Sequence, residues 1–174
     1  MIISVEELKK RITTDKDDSE LEEMLAGIEN AIRNYTNNNF QHRGFRTVGT
    51  IEDGKLYLDA AVFKKGDTIE ISESYFNAGL YVVPEGAEAD VIALPGALDE
   101  TDVLVTKIVY PPDVKIGAVN MLKWELENRP KVGVQSETIS RHSVTYYNMD
   151  GDNSVMGYPK SLFGFLKPYR KARF

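Results

Sequence analysis

The sequence predicts an α+β fold: a small α-helical bundle with an inserted small antiparallel β barrel or sandwich, a C-terminal β-hairpin and a short terminal helix. Apolar residues recur at helical spacing before residue 40 and again after residue 111. Between these regions, β-branched runs alternate with Gly and Pro turns, which is typical of short strands. The predicted division is therefore a helical core of residues 1–43 and 111–174 with an inserted β domain at 44–110.

Two helices are predicted before residue 40. Ser4 and Glu7 have the spacing of a capping box, which favours a short helix that begins after Ser4. A longer helix over 19–36, capped by Ser19 or Asp18, carries a continuous apolar stripe. The stripe consists of Leu21, Leu25, Ile28, Ile32 and Tyr35. Because such a stripe must be covered, these helices are expected to pack against another helix later in the chain.

The middle of the chain reads as six short strands. They are predicted within Thr50–Asp59 (two strands around a turn), Thr68–Ser72, Leu80–Val83, Val91–Leu94 and Val103–Val109. Strands this short, separated by turn residues, favour a small antiparallel barrel or sandwich. The same segment is acidic, because residues 44–112 hold 12 acidic and 5 basic side chains.

The last third of the chain predicts a helix, a hairpin and a short apolar helix. Asp113 is the expected cap of a helix that extends to residue 128. Strands over 134–139 and 143–147 form the expected hairpin, with a turn at 140–142. The final helix, within 161–166, is apolar nearly all round.

Charge is distributed unevenly within the net value of −6. Residues 1–152 hold 16 basic and 27 acidic side chains, whereas residues 153–174 hold 5 basic and no acidic ones. An acidic body is poorly suited to gripping DNA, because phosphate neutralisation needs an extended basic surface. The N-terminus has neither a basic leader nor an apolar run, so neither a signal peptide nor a membrane span is expected.

Motifs for catalysis and cofactor binding were sought in the sequence. Cysteine is absent, and the two histidines, His42 and His142, do not have metal-ligand spacing. The polar loop 148–153 fails the calcium-loop pattern, since its sixth and twelfth positions are Asn153 and Pro159. No phosphate-binding or nucleophile motif occurs. The sequence therefore predicts a protein that is not an enzyme and has no cofactor or metal.

Three stretches resemble the head–tail connector (adaptor, head completion) family of tailed bacteriophages. They are the capped N-terminal helix with helix 19–36, the helix that opens at 111–115, and the region 135–146 with the tail 157–171. The resemblance covers roughly residues 1–40 and 111–174. The run 63–83 looks like the β insert of longer connectors, which suggests the long form of the family.

The resemblance implies a viral structural protein at the head–tail junction of the virion, made in the cytoplasm of the bacterial host. Its implied partners are further copies of itself in a ring of typically about twelve, the portal protein, and the next connector or stopper protein. Such a ring extends the DNA channel and joins the capsid to the tail. An acidic lining would let DNA pass without tight binding, and no membrane is involved.

Two sets of site residues are predicted on this basis. The tail is expected to dock on the portal through Leu162, Phe163, Phe165, Leu166, Tyr169, Arg170 and Lys171. The hairpin is expected to contact a neighbouring subunit or the channel through Glu137, Arg141, His142 and Tyr146. The tail has a simpler alternative, in which the final helix packs on its own bundle.

A second function also fits the sequence. The β segment can be a small ligand- or carbohydrate-binding module on a helical stalk within a phage or prophage particle. Tyr75, Phe76 and Tyr81 are the aromatic residues that would serve it.

Overall fold

Mixed α and β structure, as the sequence predicts, is divided between two units of the chain. The computed structural model describes residues 1–85, 87–88, 90–129, 136–139, 142–145 and 152–172, and for 136–139 and 142–145 only the strand assignment and its pairing. One unit comprises Met1 with residues 39–110, and the other comprises residues 2–38 with 111–174. We call them the β unit and the helical unit.

The β unit contains a six-stranded antiparallel sheet, curled as a half-barrel. Its strands are β1 (Gln41–Glu52), β2 (Lys55–Leu58), β3 (Thr68–Ser72), β4 (Gly79–Val82), β5 (Val91–Ala93) and β6 (Glu100–Ile108). Their order across the sheet is β4-β3-β6-β1-β2-β5, so β4 and β5 lie at its edges. All six strands predicted from the sequence are present, although β1 begins at Gln41, before the predicted start of the β segment at 44.

Alternating side chains of these strands form the core of the β unit. Ile51, Leu56, Ile69, Val103 and Val105 are all at most 1% exposed. The β1–β2 hairpin that brings two of these side chains together turns at Asp53 and Gly54, which have φ values of 50° and 68°. Positive φ at both central positions is the geometry that matches the twist of paired strands, and Asp-Gly is a preferred sequence for it.

The helical unit contains three α-helices and a C-terminal 3₁₀ helix. They are α1 (Val5–Lys9), α2 (Asp18–Thr36), α3 (Pro112–Asn128) and the 3₁₀ helix (Lys160–Tyr169). The predicted stripe of α2 is confirmed, because Leu21, Leu25, Ile28 and Ile32 are buried. Both α3 and the 3₁₀ helix pack against α2. Among the described residues, no helix has the length and apolar character needed to cross a membrane.

Helix capping follows the sequence only in part. The Ser4 side chain accepts a hydrogen bond from the Glu7 N–H at 3.2 Å, as predicted. The cap of α2 is Asp17, whose carboxylate accepts from the Glu20 N–H at 2.8 Å, so the prediction of Ser19 or Asp18 was wrong by at least one residue. Both candidates already have helical conformation, and a cap must be extended.

The predicted cap of α3 was also wrong. Pro111 holds the capping position with no side-chain cap, and Pro112 begins the helix. A proline is suited to that position because the first N–H of a helix has no intrahelical acceptor to lose. Asp113 lies one residue further on, inside the first turn, where its carboxylate is available to another partner.

Two small hairpins complete the helical unit. Strands β7 (Ser136–Ile139) and β8 (His142–Thr145) are antiparallel, and Ile139 pairs with His142. The predicted hairpin is thus confirmed within these strands, except that His142 belongs to β8 and not to the turn. The predicted strand residues 134–135 and 146–147 lie outside the described part of the chain. Strands β9 (Ser154–Val155) and β10 (Tyr158–Pro159) pair just before the 3₁₀ helix.

Candidate functional site

The C-terminal segment, residues 160–172, is anchored in the helical unit by two buried side chains. Phe163 is 1% exposed and Leu166 is fully buried. The Phe163 ring lies 4.8 Å from the ring of Tyr35 on α2 in an edge-to-face arrangement, and 6.1 Å from that of Tyr158. Aromatic pairs in this geometry add to the stabilisation that burial alone provides. The segment is therefore part of the core of its own unit.

This burial corrects the expectation that every apolar side chain of the tail is free to meet a partner. Phe163 and Leu166 are covered by their own chain, while Leu162, Phe165 and Tyr169 are half-buried. Helices α2 and α3 leave a face that the 3₁₀ helix fills, so the simpler alternative describes its apolar residues. Arg170 and Lys171 remain exposed, as docking residues should be.

Hydrogen bonds fasten the end of this segment to the end of α2. The Lys171 N–H donates to the Thr36 carbonyl at 2.7 Å, and the Asn37 side-chain amide donates to the Lys171 carbonyl at 3.3 Å. The Asn38 side chain donates to the Tyr169 carbonyl at 3.2 Å. The last carbonyls of a helix lack intrahelical donors, so a following chain segment can satisfy them. These bonds position residues 169–171 on the surface.

Helix α3 holds the other side of the segment. The Tyr169 hydroxyl donates to the carboxylate of Asp113, with both oxygens at 2.8 Å. Phe165 lies directly over Gly117, where any Cβ would overlap its ring. Gly117 is therefore required for close approach of the ring to the helix, which explains a glycine in the middle of α3.

The exposed part of the segment is basic. Lys167, Arg170 and Lys171 are exposed, and we call these three residues the basic surface. The Arg170 guanidinium lies 5.1 Å from the centre of the Tyr35 ring, which is within the range of a cation–π contact. The arrangement presents cations from a backbone that is fixed on both sides, so it can bind an acidic protein surface with little loss of entropy.

A cluster around Arg129 links the end of α3 to the turn before the C-terminal segment. Its guanidinium pairs with Glu125 at 2.7 and 2.8 Å and donates to the Gly157 carbonyl at 2.9 Å. It also lies 5.2 and 5.1 Å from the rings of Trp124 and Tyr158. Bidentate pairing of this kind is geometrically specific. The cluster therefore fixes where the C-terminal segment begins.

The stability of the helical unit is expected to fall between pH 10 and pH 12 because of Tyr158. Burial raises the pKa of its hydroxyl to about 12, with the Glu125 carboxylate adding to the shift. The folded state then keeps a proton that the unfolded state loses near pH 10, so stability is complete below that pH and declines above it. The melting temperature of the native protein should drop more across this range than that of Tyr158→Phe. Parallel curves for the two proteins would contradict this assignment.

A second candidate surface lies on the β unit, where Glu100 organises the loop after β3. Its carboxylate accepts hydrogen bonds from the Ser74 hydroxyl at 2.6 Å, the Tyr75 N–H at 2.6 Å and the Asn77 side chain at 2.9 Å. These donors lower the pKa of Glu100, the Ser74 hydroxyl most of all. Asn77 also exchanges two hydrogen bonds of 2.9 Å with the backbone of Leu98. Residues 74–77 are consequently held in one conformation.

This loop presents two aromatic side chains to solvent. Tyr75 is 94% exposed and Phe76 is 67% exposed, and their rings lie 6.4 Å apart. Tyr81, the third aromatic residue considered for ligand binding, is half-buried and donates its hydroxyl proton to the Asn77 carbonyl. A rigid loop that exposes two rings is typical of an interaction surface. The sequence identified the rings but not the Glu100 and Asn77 bonds, since these join residues more than twenty positions apart.

The predicted hairpin site can be placed only by its backbone. Glu137 lies in β7 and His142 in β8. Arg141 and Tyr146 lie outside the described residues. Their expected contact with a neighbouring subunit or with the channel stays a prediction.

Within the described part of the chain, no group of three or more His, Asp or Glu side chains has the arrangement of a metal site. Comparison with known proteins adds no assignment: no protein-family model matches this chain, and no curated protein is significantly similar to it.

Proposed function

We propose that the chain is a structural subunit of a phage head–tail connector ring that docks on the portal, extends the DNA channel and joins the capsid to the tail. The observation that carries the proposal is the C-terminal segment. Phe163 and Leu166 anchor it, hydrogen bonds to α2 fix its end, and the basic surface remains exposed. A fixed cationic surface suits docking on a large acidic neighbour in a permanent assembly.

The docking face is smaller than the sequence indicated. It consists of the basic surface with the half-buried Leu162 and Tyr169, while Phe163 and Leu166 act from behind as the anchor. Electrostatic complementarity then sets orientation and rate of docking more than affinity. Affinity has to come from repetition around the ring, because many weak contacts made together bind far more tightly than one.

We also propose that the β unit is an insertion in a helical bundle. The chain enters and leaves this unit at neighbouring points, since the Val109 N–H donates to the Phe40 carbonyl at 2.9 Å. The rings of Phe40 and Tyr110 lie 4.9 Å apart at the same place. Adjacent ends are what an inserted domain requires, because the host fold then needs to bridge only a short gap.

Binding to the portal protein of the same phage tests the docking role. The triple variant Lys167→Glu, Arg170→Glu and Lys171→Glu should lose at least about tenfold in portal affinity at low salt. The matched control is Lys55→Glu, Lys64→Glu and Lys65→Glu, which changes the net charge equally but on the β unit. Co-sedimentation should show the control binding near the native level. Equal losses for both variants would mean that overall charge, and not this surface, governs docking.

The exposed pair Tyr75 and Phe76 favours a second candidate, a carbohydrate-binding module. Aromatic faces stack on sugar rings, but polar partners are needed to select one sugar. Glu100 and Asn77, the nearest such groups, are already occupied by bonds within the loop. Chemical-shift changes at Tyr75 and Phe76 upon addition of bacterial cell-wall oligosaccharides would support this candidate over a protein contact.

A further inference from the structure

The charges of the β unit are segregated to opposite ends of strand β6. Register fixes the two ends, since Glu100 of β6 lies opposite Ile51 of β1, and Ile108 lies opposite Gln41. Strand β3 follows the same direction, with Ser72 opposite Leu104 and its first residue opposite Ile108. The loop after β3 and the β1–β2 turn therefore lie at the Glu100 end. The start of β1 lies at the other.

The acidic end is the Glu100 end. Besides Glu100 it carries Glu52, Asp53, Glu73, Asp99 and Asp102, together with the exposed rings of Tyr75 and Phe76. Lys55, opposite Glu52 in the hairpin, is its single basic residue among these elements as described. Asp99 accepts from the Asp53 N–H at 3.0 Å and so ties the turn to the strand beside the loop. The rings thus lie within a group of carboxylates.

The basic end is built on a bulge in β1. The pairing of β1 with β6 shifts between Gln41 and Arg46, and all residues from 42 to 46 are exposed. This end carries Arg43, Arg46, Lys64, Lys65 and Lys107. Its acids are engaged locally: Asp67 pairs with Lys107 at 2.6 Å, Glu85 pairs with Lys65, and Glu70 accepts from Gln41 at 2.6 Å. Bulges commonly redirect side chains toward a partner in this way.

We propose that the acidic end of one β unit contacts the basic end of the next copy of this chain. Tyr75 and Phe76 offer faces on which the exposed Arg43 guanidinium can stack, and Glu73 and Asp102 offer carboxylates to the same cation. The partner is a second copy because the chain itself carries both complementary surfaces. This inference rests on the proposed function, for which it supplies one subunit contact of the ring.

The two surfaces differ from each other, so the contact is heterologous and repeats head to tail. Such a contact closes into a ring when the rotation between copies divides the circle, and otherwise extends as a filament. The rigid Glu100 loop limits the entropy lost on contact, because its backbone is already fixed by hydrogen bonds. Attraction between solvent-exposed charges weakens as salt rises. Association is therefore expected to be strongest at low ionic strength.

A charge exchange between two variants of the full chain tests the contact. Variant one carries Glu73→Lys and Asp102→Asn, since asparagine tolerates the φ of 60° at that position. Variant two carries Arg43→Glu and Lys64→Glu at two exposed sites. Sedimentation velocity at low salt should show native association, at least about tenfold weaker association of each variant alone, and recovery in an equimolar mixture. Recovery follows because each altered end then meets an oppositely charged one.

A mixture that associates no better than its components, or a native chain that is monomeric up to high concentration, overturns the inference. Should either variant melt below the native protein, Tyr75→Ser with Phe76→Ser replaces it, since both side chains are exposed, and unchanged association of that variant is equally contrary. Failure here with normal portal binding removes only this contact. Normal association with no portal binding removes the connector proposal instead.

Discussion

Phe163→Ala is expected to lower the free energy of unfolding of the helical unit by about 3–5 kcal/mol. The side chain is 1% exposed and its ring contacts Tyr35 and Tyr158. Removal of a buried phenylalanine costs both its transfer free energy and the cavity it leaves. Urea denaturation followed by far-UV circular dichroism would measure the loss, since the helices report on this unit.

Lys167→Ala is the matched control, four residues further along the same 3₁₀ helix. Its side chain is exposed and it has no ion pair among the described residues, so the change should stay within about 0.5 kcal/mol. A loss below about 1 kcal/mol for Phe163→Ala would show that the segment is not part of the core. Phe163 would then be available to a partner, and the tail would act as a free arm.

Replacement of residues 41–108 by a short Gly/Ser link is expected to leave a helical protein that melts cooperatively. The link has little distance to cover, because the Phe40 carbonyl and the Val109 N–H are hydrogen-bonded at 2.9 Å. Loop closure costs only about 0.6 kcal/mol for each doubling of length, so connectivity should not decide the outcome. The buried stripe of α2 would still be covered by α3 and the 3₁₀ helix.

Circular dichroism and calorimetry of this shortened chain give the result. A helical spectrum with a single sharp transition would support the insertion. A chain without a cooperative transition would show that the β unit contributes to a core shared with the helices. The stability of the β unit alone, expressed as residues 39–110, provides the complementary measurement.

Local sequence patterns predicted the elements of this fold well. The α2 stripe and the six strands follow from apolar periodicity, which depends on neighbours a few residues apart. The caps were predicted less well, because Asp17, Asp18 and Ser19 are all suitable cap residues and only backbone conformation selects one. For α3, the prolines that begin the helix determined its start more strongly than the polar residue after them.

Features that join distant residues were beyond the sequence. The tail was expected to have an uncovered apolar face, but Gly117 admits Phe165 onto α3, and Tyr35 covers Phe163. Likewise, the segregation of charge along β6 depends on strand register, which places residues 43 and 107 at one end and 73 and 102 at the other. Composition indicated an acidic β segment, whereas its polarity required the sheet.

Electron microscopy of the chain mixed with the portal protein of the same phage tests the connector proposal most directly. The account predicts a second ring stacked coaxially on the portal ring, with one copy of the chain for each portal subunit. The triple variant Lys167→Glu, Arg170→Glu and Lys171→Glu should leave the portal ring bare under the same conditions. Portal rings that remain unchanged by the native chain, at concentrations where it is folded, would contradict the account.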